Sequence, residues 1–244
     1  MNVENEQKVQ KRRIDWKSIL VIFILLAILG AGWSFRSLNN NWDESRHLHP
    51  DERYLSMVVN MIEPVWTARE YFDTAASPLN PANKDFSFFV YGTLPLFMLR
   101  YAGEWTGQTG YDLNTLLGRT MSAAMDTLTI LLIFLTAKKL FNRWIGLIAA
   151  ALYAFAVLPI QLAHYMTVDS FTNTFAMLTV LIAAEILMRK PLSAEEESGK
   201  VIRIWKEIWP YLAFGAALGM ATASKINAVS LALLLPLVEG VRYF

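Results

Sequence analysis

The sequence predicts an all-α, multi-pass transmembrane bundle of about six spans, whose extracytoplasmic first loop carries juxtamembrane amphipathic helices. Three observations predict it. Of the 244 residues, 55% are hydrophobic and only 18% charged, against roughly 45–50% and 25% in ordinary globular domains. The apolar residues are grouped in long uncharged blocks, near the length that crosses a bilayer. The basic residues gather where those blocks end. Composition excludes other classes as well. Disorder requires few apolar residues and a high net charge. The balance of 22 Lys+Arg against 21 Asp+Glu leaves +1, so no nucleic-acid partner is expected. Without cysteine there are no disulfides, thiolate zinc sites or cysteine nucleophiles.

The elements follow in order. Residues 1–17 form a basic tail with Lys8, Lys11, Arg12, Arg13 and Lys17, expected in the cytoplasm by the positive-inside rule. The first span, Ile19 to Trp33, delivers residues 35–112 to the outer side of a cell membrane. Within that loop, Pro50 followed by Asp51 and Glu52 marks a helix start, where unpaired N–H groups favour carboxylates. Between Glu52 and Trp66, Leu55, Val58, Val59 and Ile62 recur at helical spacing, predicting an amphipathic helix suited to the membrane interface. Phe86 to Trp105 is apolar but interrupted by Gly92 and Pro95 and closed by Arg100. If it lies along the outer leaflet instead of spanning, the clusters Lys138, Lys139, Arg143 and Arg189, Lys190, Lys200, Arg203, Lys206 share the tail's side with Arg242. If it spans, they do not. The non-spanning choice satisfies every cluster.

Further blocks run over Thr120–Ala137, Trp144–Met166, Phe171–Met188, Trp209–Ala223 and Ile226–Val241, the last two of marginal length. A cytoplasmic linker, residues 189–208, contains the solvated acidic stretch Ala194 to Gly199. This layout places His47, His49 and His164 on the outer side, together with most internal acids.

The densest polar cluster is Trp42 to Tyr54, WDESRHLHPDERY. Asp51 and Glu52 have two readings: a catalytic carboxylate pair at headgroup depth, or a capped, solvated first helical turn. His47, His49 and Asp51 alternate, so an extended backbone would point them to one face as a weak metal candidate; no cofactor is otherwise expected. Asp126, inside a span, is a functional candidate by position; as a structural residue it would partner Arg119 or a neighbouring hydroxyl. Asp169 is either the N-cap of a following helix or a group facing the same pocket as Asp51. Lys225, the only charge between Glu207 and Glu239, either snorkels or awaits an anionic headgroup.

In their order and sidedness, these features resemble the amino-terminal half of a GT-C membrane glycosyltransferase of the family-39 type, similar to protein O-mannosyltransferases and aminoarabinose transferases. The resemblance is carried by His49-Pro50-Asp51-Glu52-Arg53, Tyr91 to Pro95, the Arg119 region, the Lys-Lys-Leu-Phe-Asn-Arg turn with Gly146, Thr167 to Phe171, and the Gly215, Gly219 and Ala-Ser-Lys stretch. It implies transfer of a sugar from a polyprenyl-phosphate carrier to a glycan, lipid or protein acceptor at the outer face. Asp51 then matches the loop acid that acts on the acceptor and Glu52 its partner. His49, Arg53, Tyr91, Asp169 and Lys225 are expected to bind substrate, with Lys225 on the phosphate. Family members usually continue through further spans. The chain is therefore read as an amino-terminal half, a short paralogue or a subunit needing another membrane partner. The reading from a different class is a non-catalytic membrane subunit or a small transporter. Paired internal repeats and midplane polar residues would mark a transporter, and neither is found.

Overall fold

The computed structural model describes residues 16–189 and 200–243. The acidic stretch Ala194–Gly199, the tail before Trp16, Lys190, and the side chains of Lys200 and Arg203 lie outside the described residues. Ten α-helices are found among those described: α1 (Trp16–Ser37), α2 (Pro50–Met61), α3 (Ala68–Phe72), α4 (Leu94–Thr106), α5 (Tyr111–Leu140), α6 (Arg143–Ala154), α7 (Val157–Ala163), α8 (Asp169–Leu187), α9 (Lys200–Ser224) and α10 (Leu234–Tyr243). Two 3₁₀ segments, Pro81–Lys84 and Ile226–Leu233, complete the set, and the described residues contain no strand. The protein is a multi-pass helical bundle.

Among the described residues, four elements are long and apolar enough to cross a membrane: α1, α5, α8, and the 3₁₀ segment Ile226–Leu233 continued by α10. The pair α6 and α7, bent by 59°, makes a fifth if taken as one broken span. By length and apolarity alone that gives four or five spans, beside the expected count of about six. The block Trp144–Met166 is not one straight helix, and α9, which holds Trp209–Ala223, carries Lys206 and Glu207 and falls short of the required apolarity. At 13 residues α4 is too short for a hydrocarbon core that takes about 20, so Phe86–Trp105 does not span by helix length.

Buried apolar packing is found both between the spans and outside them. Among the spans, α1 contributes Val21, which packs with Ile130, Phe134, Leu147, Ala150 and Ala154 of α5 and α6. Lipid is as apolar as these side chains, so close packing and buried polar bonds must fix the arrangement. Arg36, at the end of α1, supplies such bonds. It is 1% exposed, lies 2.5 Å from Asp126 of α5, and donates to the carbonyls of Ala154 and Tyr153. Ala154 sits where α6 breaks before α7, and a bilayer offers no water to satisfy a carbonyl freed there, while the Tyr153 carbonyl also accepts from Ala156 N–H at 3.1 Å. The Tyr153 hydroxyl donates to the other Asp126 oxygen at 2.6 Å. Asp126 is thus the structural anchor of a helix break: it takes a neighbouring helix's hydroxyl, as one structural reading expected, and its charged partner is Arg36, not Arg119.

Outside the spans, Leu55, Val58 and Val59 of α2 and its C-cap Ile62 are wholly buried with Leu79, Leu96, Leu99 and Met166. The apolar face expected to meet the membrane interface instead meets protein. Burying each of those side chains is worth about 1.5–3 kcal/mol relative to water, and α4 and α5 supply the partner surface. The helix also ends at Met61, short of Trp66, because Pro64 favours an extended residue before it.

The contacts between helix ends give the bundle two distinct ends. At one end Arg143 donates to Ser18 at the start of α1, and Lys139 of α5 pairs with Glu185 near the end of α8. Arg189 donates to backbone carbonyls at the start of α9, and Arg242 pairs with Glu239. The described basic clusters therefore gather at the end where α1 begins. The other end carries the 38–93 region, the start of α8 and the turn after α9.

Candidate active site

At this second end, α5 begins well outside the apolar part of its span and presents Arg119 to the incoming loop. Arg119 is 1% exposed and takes a carboxylate on either side. It donates to Asp43 at 3.0 and 2.9 Å and to Glu52 at 2.8 and 2.6 Å. Glu52 also accepts from the Met166 backbone N–H at 2.7 Å, tying α2 to the connection between α7 and α8. A charge this deep is tolerated only when matched and hydrogen-bonded, and here both conditions hold. The Arg119 guanidinium holds the Asp43 carboxyl down at about 2. Gly118 makes the approach possible: a Cβ there would stand 2.2 Å from Met166 Cγ.

Glu52, expected beside Asp51 as a catalytic partner, is wholly buried and its oxygens are taken by Arg119 and Met166. It has no route to a substrate hydroxyl. Asp51 is its opposite. One residue earlier on α2, it turns outward and is exposed. It is not a cap, because His49 holds that role, its Nδ1 accepting from Glu52 N at 3.2 Å. His49 also stacks on Tyr165 with ring centroids 4.2 Å apart. Arg53 is exposed, and its carbonyl accepts from the Tyr111 hydroxyl at 3.4 Å.

The metal alternative fails on backbone geometry. Alternation needs extended residues, yet His47 has φ 51° and turns to Asp112, 2.7 Å away, while His49 caps α2. Among the described residues no three of His, Asp and Glu gather as a ligand set. His164 is spent on structure, its ring nitrogens lying 2.8 Å from Ile160 O and 3.1 Å from Leu38 O.

Asp169 at the start of α8 and Lys225 in the turn after α9 come together from 56 residues apart, with Nζ 2.7 Å from Oδ1. Asp169 does not cap α8, whose N-cap is Val168 without a side-chain bond. Both side chains stay accessible, 33% and 43% exposed, so the pair can open to a ligand. Tyr91 connects it to Asp51. Burial first, then the neighbouring Asp51 carboxylate, with Tyr54 and Asp169 adding less, push its phenol above the ordinary value. Tyr91 therefore remains a hydroxyl donor at neutral pH beside two carboxylates. It is held there by Gly92, whose N–H donates to Ser224 O at 3.2 Å. A Cβ on Gly92 would fall 2.2 Å from Ala223 O, so only glycine seats this strap on the turn that carries Lys225. Tyr54 and Phe89 pack on Tyr91, and Phe86 packs on Tyr54 behind them.

Of the expected site residues, Asp51, Tyr91, Asp169 and Lys225 thus share one surface, with His49 and Arg53 at its edge and Glu52 beneath. Sequence reasoning missed Asp43 and the role of Arg119. Its signal was a lone arginine at the mouth of a span, which requires acidic partners.

The sequence matches the family model for dolichyl-phosphate-mannose-protein mannosyltransferases over residues 88–239. That range contains Tyr91, Asp169 and Lys225, while Asp51 precedes it. No curated protein and no solved structure matches the chain. The matched region covers more than half of the molecule: the chain belongs to the dolichyl-phosphate-mannose-protein mannosyltransferase family of GT-C membrane glycosyltransferases, which take their sugar from a lipid-phosphate donor.

Proposed function

We propose that this protein transfers a mannose-type sugar from a polyprenyl-phosphate carrier to a hydroxyl of a protein acceptor, on the extracytoplasmic side of the membrane. Asp51 is the base. The acceptor oxygen attacks the anomeric carbon, the bond from that carbon to the phosphate oxygen breaks, and the hydroxyl proton passes to the Asp51 carboxylate. The departing lipid phosphate carries the electron pair, and Lys225 meets its charge. Asp169 holds Lys225 in place before the donor arrives, and the Tyr91 hydroxyl orients a substrate oxygen between the two carboxylates. Glu52 acts from below, fixing the first turn of α2 through Arg119. His49 and Arg53 border the acceptor side. The N-terminus is cytoplasmic, because the described basic clusters lie at the end where α1 begins.

The observation that carries this reading is the placement of an exposed Asp51 and an accessible Asp169–Lys225 pair around one neutral tyrosine. A base and a phosphate-binding cation are the two groups that the displacement needs. Transfer of labelled mannose from a polyprenyl-phosphate donor to a serine- or threonine-containing peptide tests it. Asp51→Asn is expected to lower turnover by on the order of 10²–10⁴-fold, with membrane insertion and donor binding retained. Wild-type turnover in that variant would remove the base from the scheme.

A further inference from the structure

The end of the bundle away from Asp51 holds a cavity of about 660 Å³ between α5, α8 and α9. Its walls come from the places where these helices lose their apolar character. Lys139 stands in the last turn of α5 and pairs at 2.5 Å with Glu185 of α8. Arg189 follows the end of α8, and α9 adds Trp205, Lys206, Trp209 and Pro210. Past Glu207 the chain carries no charge up to Ser224, so the cavity lies at the step from charged to uncharged helix. Trp205 and Trp209, four residues apart and so on one helical face, are 58% and 62% exposed. Exposed indoles at such a step mark the headgroup layer of a bilayer.

Pro210 explains why a cation is fixed in this wall. Proline has no N–H, so the carbonyl four residues back, that of Lys206, loses its helical partner. Arg189 supplies the replacement: Nη2 donates to Lys206 O, and Nη1 donates to Glu207 O at 3.4 Å. These bonds orient the guanidinium without neutralising it, because both acceptors are uncharged. The lining therefore sets three cations against the single carboxylate of Glu185.

We propose that this cavity binds the phosphate of an anionic phospholipid, drawn from the leaflet at the end where α1 begins. Basic pockets between helices at the membrane boundary suit phospholipid headgroups, and arginine offers a phosphate two donors at once. Position and lining select a lipid over a dissolved phosphate. The cations meet the phosphodiester, while the two indoles and Met188, itself 48% exposed, offer apolar surface to the glycerol and the first acyl methylenes. A free phosphate has nothing to place there. A zwitterionic lipid brings a compensating ammonium, so it gains little from the excess of positive charge. Bound in this way, the lipid bridges α5, α8 and α9 on the side remote from Asp51 and Lys225. The inference is independent of the transfer chemistry.

Native mass spectrometry of the full chain, released from detergent micelles after titration with phosphatidylglycerol or phosphatidylcholine, tests the site. A lysine or arginine near a lipid phosphate is worth about fivefold in affinity. With two cations in excess, phosphatidylglycerol should be retained over phosphatidylcholine by about 25-fold. Lys206→Gln, on an exposed stretch of α9, should weaken phosphatidylglycerol retention about fivefold and leave phosphatidylcholine unchanged. Arg189→Gln should lose at least as much, and Lys206→Gln serves even if that variant does not fold. Arg143→Gln, at the same end but outside the cavity, should change neither lipid. Equal retention of both lipids by the wild type overturns the proposal. So does a loss in Arg143→Gln as large as in Lys206→Gln, which would reduce the effect to diffuse attraction by a basic surface. Displacement of phosphatidylglycerol by equimolar inorganic phosphate would assign the cavity to a soluble anion and overturn the lipid assignment.

Discussion

At the scale of single residues, the buried arginines decide most of what happens near the site. Arg119 binds two carboxylates from different segments, so one side chain closes the loop after α1 onto α2 and α5. Its energetic trace is a pH dependence. The Asp43 carboxyl is lowered from 3.8 to about 2 in the folded protein. A depressed carboxyl contributes stability above its unfolded value, and that contribution is lost as pH falls through the folded one. The contribution is about 2 kcal/mol by linkage, present above roughly pH 4 and gone near pH 2. Thermal unfolding of the detergent-solubilised chain should show it. Asp43→Asn is expected to melt lower than wild type at pH 7, with the gap closing between pH 4 and pH 2.

At the scale of elements, the strap before α4 is the joint on which the site depends. Tyr91 is brought to Asp51 from one side and to the Lys225 turn from the other, and Gly92 makes both approaches fit. Gly92→Ala forces a methyl into the Ala223 and Ser224 backbone, which cannot yield as a side chain would. The strap must lift, carrying Tyr91 away from the turn. Displacements of about 1 Å at a reacting centre cost on the order of 100-fold in rate. Turnover of Gly92→Ala should fall by about that factor. The melting temperature should barely move, because the strap lies outside the spanning helices. A large loss of stability with normal kcat in the folded fraction would show that the seat is structural only. The same scale explains α2. Its amphipathic pattern fits a membrane surface as well as a protein one, and α4 and α5 provide the protein surface.

At the scale of the whole molecule, polarity is split between two ends. The end where α1 begins collects Lys139, Arg143, Arg189 and Arg242, and the other collects Asp51, Tyr91, Asp169 and Lys225. Positive charge is retained on the cytoplasmic side during insertion, so this division predicts an outward-facing site. Single cysteines settle it in intact cells, since the natural sequence has none. A membrane-impermeant thiol reagent should label Asp73→Cys in the 38–93 region and leave Lys139→Cys untouched until the membrane is opened. The reverse pattern would turn the bundle over and place the chemistry in the cytoplasm.

Much of this was legible in the amino acids. Uncharged runs of bilayer length, a proline and two acids at a helix start, and the grouping of lysine and arginine are local signals. Each follows from hydrogen bonding and transfer energies that neighbouring residues determine among themselves. They were enough to give most of the helices, the division into two ends and the candidates Asp51, Asp169 and Lys225, while Tyr91 came only from the family resemblance. Other choices needed the folded chain. Asp51 and Glu52 are adjacent and chemically alike, yet one faces outward and the other lies under Arg119, because successive helical positions point about 100° apart and only one side of α2 meets protein. Likewise, Asp126 took Arg36 over Arg119, the span expected at Trp144–Met166 broke, and His47 left the extended line that a metal site required. Which partner a buried charge takes depends on distances between segments far apart in sequence, and those distances exist only once the helices have packed.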